Sequence, residues 1–231
     1  MKVVINADDL GFTKGVTDGI IYGFKKGVIS STTALCNMKN IVYAAERVKE
    51  CKGLGVGVHL TLTLGRPITE AKTLVDEDGK FFDKKEIFSK QINLDEVYIE
   101  FKAQIERFKE VFNRMPTHID SHHSIHDNPI IMPISKSIAD EYNLKMRRHN
   151  EEFKFVSGFY GEYATSEKLI ELLKNNKNEK GIEIMVHPGY CDLELYNVSS
   201  YSVDRVKELS VLCNDYVKDF IRREEIILTT F

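Results

Sequence analysis

Short apolar runs alternate with stretches of helical period along most of this chain, and its acids and imidazoles collect where those runs end. Residues 3–6, 31–36, 54–62, the segment carrying His118 and Asp120, and residues 144–147, 181–187 and 226–231 read as strands. Between them, residues 17–26 place Val16, Ile20, Ile21 and Phe24 at helical spacing before Gly27. Residues 41–51 form a second amphipathic helix, closed by Gly53. Residues 93–113 put Leu94, Val97, Phe101, Ile105, Phe108 and Phe112 on one helical face. Further helices are predicted over 128–142, 166–174 and 203–220. In the first of these Pro129 suits the opening turn, while Pro133 kinks the helix or delays its start. Residues 66–89 read as an excursion from the repeat and 151–163 as an aromatic loop. Such alternation predicts an α/β fold with a mainly parallel sheet, in one domain spanning residues 1–231. About seven strand–helix units suit a barrel as well as an open sheet.

Composition narrows the function. A net charge of -3 at pH 7 gives no global field favouring nucleic acid or an anionic membrane. No run approaches the roughly 18 apolar residues of a membrane span. The N-terminal apolar segment is too short for a signal-peptide core and meets two acids at once. The chain reads as beginning at its first strand, and the expected location is cytoplasmic. Cys36, Cys51, Cys191 and Cys213 lie far apart with no CxxC pair, so they read as reduced thiols and not as a disulfide or zinc framework.

Parallel α/β folds gather their active sites at the carboxyl ends of the strands. Asp8 and Asp9, His59, His122 and His123, and His187 each follow or end a predicted strand, so four strands aim acids and imidazoles at one rim. Adjacent strand residues face opposite ways, so Asp8 and Asp9 can share a site only where the strand breaks. The competing reading is a solvated turn capping the next helix. His59 sits among apolar residues, as a hydrogen-bonded core histidine also would. Residues 117–126 hold four of the seven histidines. An extended strand would put His118, Asp120 and His122 on one face, with His123 facing away unless the strand has ended. His122 and His126 would align on a helical turn. A divalent site that performs hydrolysis uses about three protein ligands and keeps room for water, so one histidine of this stretch is expected on an ion. Asp120 would orient an imidazole through its second nitrogen, and the other histidines would take supporting or substrate-contacting places. Pro188-Gly189 would fix His187 at the rim. Arg147 could hold an acid by a bidentate pair. A one-Asp, two-His set suits zinc or non-haem iron alike. No phosphate-binding Gly-rich loop, GxSxG elbow or dinucleotide fingerprint is present.

In order, Asn6-Ala7-Asp8-Asp9-Leu10-Gly11, Ser31-Thr32-Thr33-Ala34, Gly57-Val58-His59-Leu60, Pro116-Thr117-His118-Ile119-Asp120-Ser121-His122-His123 and Val186-His187-Pro188-Gly189 resemble the YdjC-like carbohydrate deacetylase family, which includes chitooligosaccharide deacetylases. The resemblance runs from the first strand to the last helix. It implies a distorted TIM-like (β/α) barrel related to the polysaccharide deacetylases, and removal of acetyl groups from short N-acetylglucosamine oligosaccharides. It also implies an Asp-His-His divalent metal site in which Asp9, His59 and His122 are the ligands, Asp8 the general base and His187 the general acid. Magnesium is the ion the resemblance implies, while two imidazoles suit zinc better on chemical grounds. It further implies a homodimer. Ser124 stands where some members carry a third consecutive histidine, a departure that bears on substrate contact and not on the ligands. Around the site, Asp120, His118, His123, His126, Arg147 and Tyr190 are expected to support it or meet substrate, and residues 153–163 with Tyr190 are a candidate sugar platform. The alternatives are a metal-dependent hydrolase of another amide or ester on the same barrel, and a non-catalytic sugar- or metal-binding relative.

Overall fold

The computed structural model describes all 231 residues. The strands are β1 (Lys2–Leu10), β2 (Ser31–Ala34), β3 (Gly55–Leu60), β4 (His118–Ser121), β5 (Lys145–Met146), β6 (Lys154–Val156), β7 (Gly181–Val186) and β8 (Ile227–Leu228). The helices are α1 (Lys14–Lys26), α2 (Ile41–Val48), α3 (Leu94–Phe112), α4 (Met132–Glu141), α5 (Ser166–Asn175), α6 (Leu193–Val198), α7 (Val203–Leu212) and α8 (Asp215–Arg223). The sheet runs β5-β4-β3-β2-β1-β7-β6, with β8 paired to the start of β1, and every ladder is parallel. No ladder joins β5 to β6, so the expected TIM-like barrel is an open half-barrel. Its edge strands are only two and three residues long, too short to close it.

Burial of both sheet faces explains the apolar runs. Val3, Val4, Ile5 and Ala7 of β1 and Val56, Val58 and Leu60 of β3 are wholly buried, as parallel strands covered by helices require. One continuous core links these strands to the inward faces of the helices. Two glycines permit close approaches that position the site. A Cβ on Gly57 would stand 2.5 Å from the His118 carbonyl oxygen, so β3 and β4 can meet there only with glycine. A Cβ on Gly19 would stand 2.5 Å from the Gly189 Cα, so α1 admits the loop after His187 only because it is bare at that point.

The expected elements recur with instructive differences. β1 does not break at Asp8. It continues to Leu10, while Asp9 adopts a left-handed φ of 72° and the register with β2 slips between Ala7 and Leu10. This bulge turns both carboxylates to the same rim without ending the strand. Pro133 delays α4, which starts at Met132. The helix predicted over 203–220 is two: α7 stops at Leu212, and the Asn214 side chain accepts from the Tyr216 N–H to cap α8. Within 151–163 lies β6, and α6 was not foreseen. The excursion 66–89 is pinned to α3, where buried Glu100 accepts from the backbone N–H of Ile68 and Thr69 and from the Thr69 hydroxyl. That pinning brings Lys84 to the rim of the cavity described next.

Candidate active site

A cavity of about 500 Å³ opens at the carboxyl ends of β1, β3, β4 and β7, and Asp8, Asp9, His59, His122, His123 and His187 all line it. At its floor Asp9 Oδ1 lies 3.2 Å from His59 Nε2 and 3.1 Å from His122 Nδ1. These three donor atoms lie within 4.8 Å of one another. Register builds half of this arrangement: His59 and Asp120 are paired across β3 and β4, and His59 Nδ1 meets Asp120 Oδ1 at 2.6 Å. The Thr33 hydroxyl from β2 braces Asp120 Oδ2 at 3.0 Å. His59 therefore presents only its Nε2 to the cavity, its tautomer and ring plane fixed from behind.

The donor set fits a divalent cation. Burial opposes charge on the His59 imidazole, yet Asp120, Asp8 and Asp9 together push its pKa up to about 10. These carboxylates favour positive charge at His59 Nε2, which a metal ion would supply in place of the proton. Asp9 is held well below the usual carboxylate range: burial works against its charge, and Arg205 and His122 outweigh burial. A second triad, Asp8, His59 and Asp120, also has three donors close together. Its carboxylates are already committed. Arg147 reaches both oxygens of Asp8 at 2.8 Å and Asp120 Oδ2 at 2.8 Å, leaving Asp9, His59 and His122 as the set open to an ion.

Arg147 also closes the open side of the half-barrel. It follows β5, is 1% exposed, and its Nε reaches Glu183 Oε1 on β7 at 2.6 Å. One guanidinium thus ties β5 to β4, β1 and β7 through three carboxylates. Burial pushes the Glu183 pKa up to about 7, against the pull of Arg147. A lysine cannot serve three acceptors in one plane. Arg147→Lys is expected to cost about 3 kcal/mol, because acceptors left unpaired in a buried site carry their full desolvation penalty. Thermal unfolding would register this as a fall on the order of 6–12 °C; an unchanged midpoint would show that the fork is not what holds the strands.

Asp8 Oδ2 stands 4.0 Å from both His59 Nε2 and His187 Nε2, between the cation set and His187. Asn6 donates to Asp8 Oδ1 at 2.9 Å. His187 is fixed from behind by its backbone N–H, which donates to Glu208, and burial pushes its imidazole down to about 4 against the pull of Asp8 and Asp9. α7 supplies two residues that sequence patterning did not single out. Arg205 donates from NH2 to Asp9 Oδ2 at 2.6 Å, and Glu208 accepts from His187 and from the Tyr201 hydroxyl. Three residues apart on an amphipathic helix, they read in sequence as an ordinary solvated pair; both are buried.

The remaining sequence candidates separate. β4 ends at Ser121, and His123 and Ser124 take left-handed φ of 57° and 56°. The turn therefore swings His123 into the cavity wall, where its Nδ1 meets the Thr63 hydroxyl at 3.0 Å. The same kink removes the helical alignment of His122 with His126, whose Nδ1 instead meets the Ser121 hydroxyl while its backbone N–H donates to that oxygen at 2.9 Å. Tyr190 lies outside the cavity, in a separate groove of about 590 Å³ shared with Tyr22 and Val206, because the Pro188-Gly189 turn carries the chain over α1. His118 lies one pleat before Asp120, stacked on Phe231 with centroids 3.9 Å apart, and it does not line the cavity.

Burial pushes His118 down to about 3, with Arg147 helping and Asp120 opposing. Its folded pKa is thus below the ordinary 6.5, so the unfolded chain binds the extra proton. Its contribution to stability is complete above about pH 6.5 and is lost as pH falls from there toward 3. Replacing it with non-titrating glutamine is expected to flatten the fall in unfolding free energy between pH 6.5 and 4 by about 1.4 kcal/mol per pH unit. Urea titrations of both proteins at pH 7 and 5 check this, and equal slopes would remove His118 from the account.

A parallel half-barrel that gathers Asp9, His59 and His122 at its carboxyl rim is a fold this chain shares with solved carbohydrate esterases and deacetylases. A Streptomyces lividans family 4 carbohydrate esterase, solved with acetate, shares that fold at TM-score 0.58 and 9% identity, over 99% of this chain and 92% of the other. The family model described as YdjC-like protein matches residues 2–223, and the chain belongs to that family. A Clostridium beijerinckii protein named carbohydrate deacetylase is 39% identical over 100% of this chain and 99% of its own. A Yersinia enterocolitica protein named chitooligosaccharide deacetylase is 38% identical over 96% and 94%. A crystal structure from Enterococcus faecalis V583, provisionally named as a cellobiose-phosphate cleavage protein, superposes at TM-score 0.93 with 34% identity, covering 99% of this chain and 97% of the other. No helix is long and apolar enough to cross a membrane.

Proposed function

We propose that this protein is a carbohydrate deacetylase that hydrolyses the acetamide of short N-acetylglucosamine oligosaccharides to acetate and a free amine. The observation that carries this reading is the cation-demanding Asp9, His59 and His122 set, with Asp8 4.0 Å from one of its nitrogens and 4.0 Å from His187. The names of the Clostridium and Yersinia relatives support the substrate class.

Asp9, His59 and His122 would hold the divalent cation. When bound, it polarises the acetamide carbonyl and acidifies water. Asp8 takes the proton of the attacking water, its carboxylate oriented by the Arg147 fork. The amine is a poor leaving group unless protonated. His187 is neutral at rest near pH 7, so it does not wait as a standing imidazolium. Instead the proton gained by Asp8 reaches the amine through His187 Nε2, its neighbour across the cavity. Arg205 keeps Asp9 charged from the side facing away from the imidazoles.

Two imidazole nitrogens and one carboxylate suit zinc by donor softness; magnesium would complete its octahedron largely from water. The test is incubation with N,N'-diacetylchitobiose and either ion, assayed for acetate. Release that a chelator abolishes and one of the ions restores supports the reading, and no release with any divalent ion overturns it. A hydrolase of another amide or ester is the second reading, since this donor set recurs across chemistries and the Enterococcus relative bears a different sugar name. Turnover of a panel of acetylated esters and amides, with none of the amino sugars, would favour it. A non-catalytic relative would be expected to lack the base or the acid, and this chain keeps both Asp8 and His187.

A further inference from the structure

The wall of the cavity beside His187 is aromatic, and its outermost ring has a free face. Phe159 is buried in the core, which turns Tyr160 outward; Tyr160 lines the cavity yet is 49% exposed. Its inner face lies flat on Tyr201, with centroids 4.3 Å apart and planes 10° from parallel. Its ring meets the His187 imidazole edge-on at 5.5 Å. A hydrogen-bond chain that ends on the buried Glu208 fixes this stack. The Gly161 N–H donates to the Tyr201 hydroxyl, that hydroxyl donates to Glu208, and Glu208 also accepts the His187 N–H. One carboxylate on α7 therefore sets the position of His187 and of the two tyrosines together. An exposed aromatic ring stacked on a second ring, with its loop tied to a buried acid, is a rigid flat surface of the kind that takes the apolar face of a ligand.

We propose that the outer face of Tyr160 is the docking platform for the pyranose ring that carries the reacting acetamide. The proposal rests on the deacetylase reading. The amine leaves on the sugar side of the scissile bond, and His187 is the group that reaches the amine, so the sugar ring must lie on the His187 side of the cation set. Tyr160 is the exposed aromatic ring on that side. The C–H face of a pyranose packs on an aromatic plane, while its hydroxyls stay free for polar neighbours. Ser199, Ser200 and Lys84, which line the same cavity, offer such partners. The tyrosine hydroxyl plays no part in this contact, which only the ring face makes.

Tyr160→Ala and Tyr160→Phe separate the ring from the hydroxyl, and the exposure of the side chain lets both variants fold. With N,N'-diacetylchitobiose, Tyr160→Ala is expected to raise KM by about 10-fold with kcat within about twofold of the unsubstituted protein. Tyr160→Phe is expected to keep the original KM. With an acetate ester that lacks a sugar, all three proteins are expected to behave alike. An unchanged KM in Tyr160→Ala, or equal losses with the sugar-free ester, overturns the platform. Should the unsubstituted protein release no acetate, the deacetylase reading fails, and calorimetric binding of the same disaccharide decides the platform separately. Weaker binding by Tyr160→Ala than by the other two upholds it; equal binding by all three, or binding by none, overturns it.

Discussion

Asp8→Asn is expected to lower acetate release by about 10²–10⁴-fold, the range that a positioned general base supplies, while cation binding and the fold persist. The substitution keeps the side-chain shape and one acceptor oxygen but removes the proton-accepting charge. Asp8 is not among the three proposed cation donors, Asp9, His59 and His122, so those donors stay in place. Asn6 and Arg147 still hold the side chain, although an amide faces one guanidinium nitrogen less favourably than a carboxylate does. The effect should fall on kcat, because the proton transfer occurs in the transition state and not in substrate binding. Steady-state kinetics beside a cation titration and a thermal melt separate the cases. A rate near that of the unsubstituted protein, with cation bound, would remove Asp8 from the base role and leave His187 as the sole proton-handling group of the site.

That expectation depends on two neighbours which differ in how legible they were. Arg147 stood out in the sequence because it ends a short predicted strand, and the bidentate pair anticipated for it is present on Asp8. Asp8, Asp9, His59, His122 and His187 were legible for the same reason: strand period fixes where a run ends, and parallel folds put that end at the site. Arg205 and Glu208 were not. Helical periodicity marks charged positions as the solvent face, and only the packing of α7 against the loop after β7 reveals that this face is buried. The break between α7 and α8 was hidden too, because Leu209, Leu212, Val217 and Phe220 keep a helix-like apolar pattern across the Asn214 cap. α6 escaped since it is six residues long and two of its apolar residues, Leu193 and Val198, face solvent. The left-handed pair His123 and Ser124 carries no glycine to announce it, so a strand-to-helix reading of residues 117–126 aligned His126 with His122 where the backbone turns it away. Barrel closure is likewise invisible to local pattern: two- and three-residue edge strands give almost no period, and β6 read as loop.

Removing the cation is expected to abolish acetate release entirely, and the way the cation returns should report on His59. Burial disfavours the charged imidazole, but Asp120, Asp8 and Asp9 raise its pKa to about 10, so the cation-free site holds a proton there near pH 7–8. A metal ligand must give that proton up. Binding should therefore release about one proton per ion, and apparent affinity should rise about tenfold per pH unit up to the region of pH 10. Calorimetry in buffers of different ionisation enthalpy counts the proton directly. Asp120→Asn supplies the discriminating variant, since Asp120 touches His59 Nδ1 from behind and is not one of the three proposed donors. It should weaken binding by about 10–100-fold, as loss of an imidazole's orienting carboxylate does, and it should also reduce the proton count, because the largest charge raising the His59 pKa is gone. His122→Ala should weaken binding while leaving the proton count near one, because the Asp120 carboxylate still favours the protonated form of His59 in the cation-free site. Binding that released no proton at pH 7.5 would mean that His59 is neutral beforehand, and that the carboxylates around it are balanced by Arg147 and Arg205 alone.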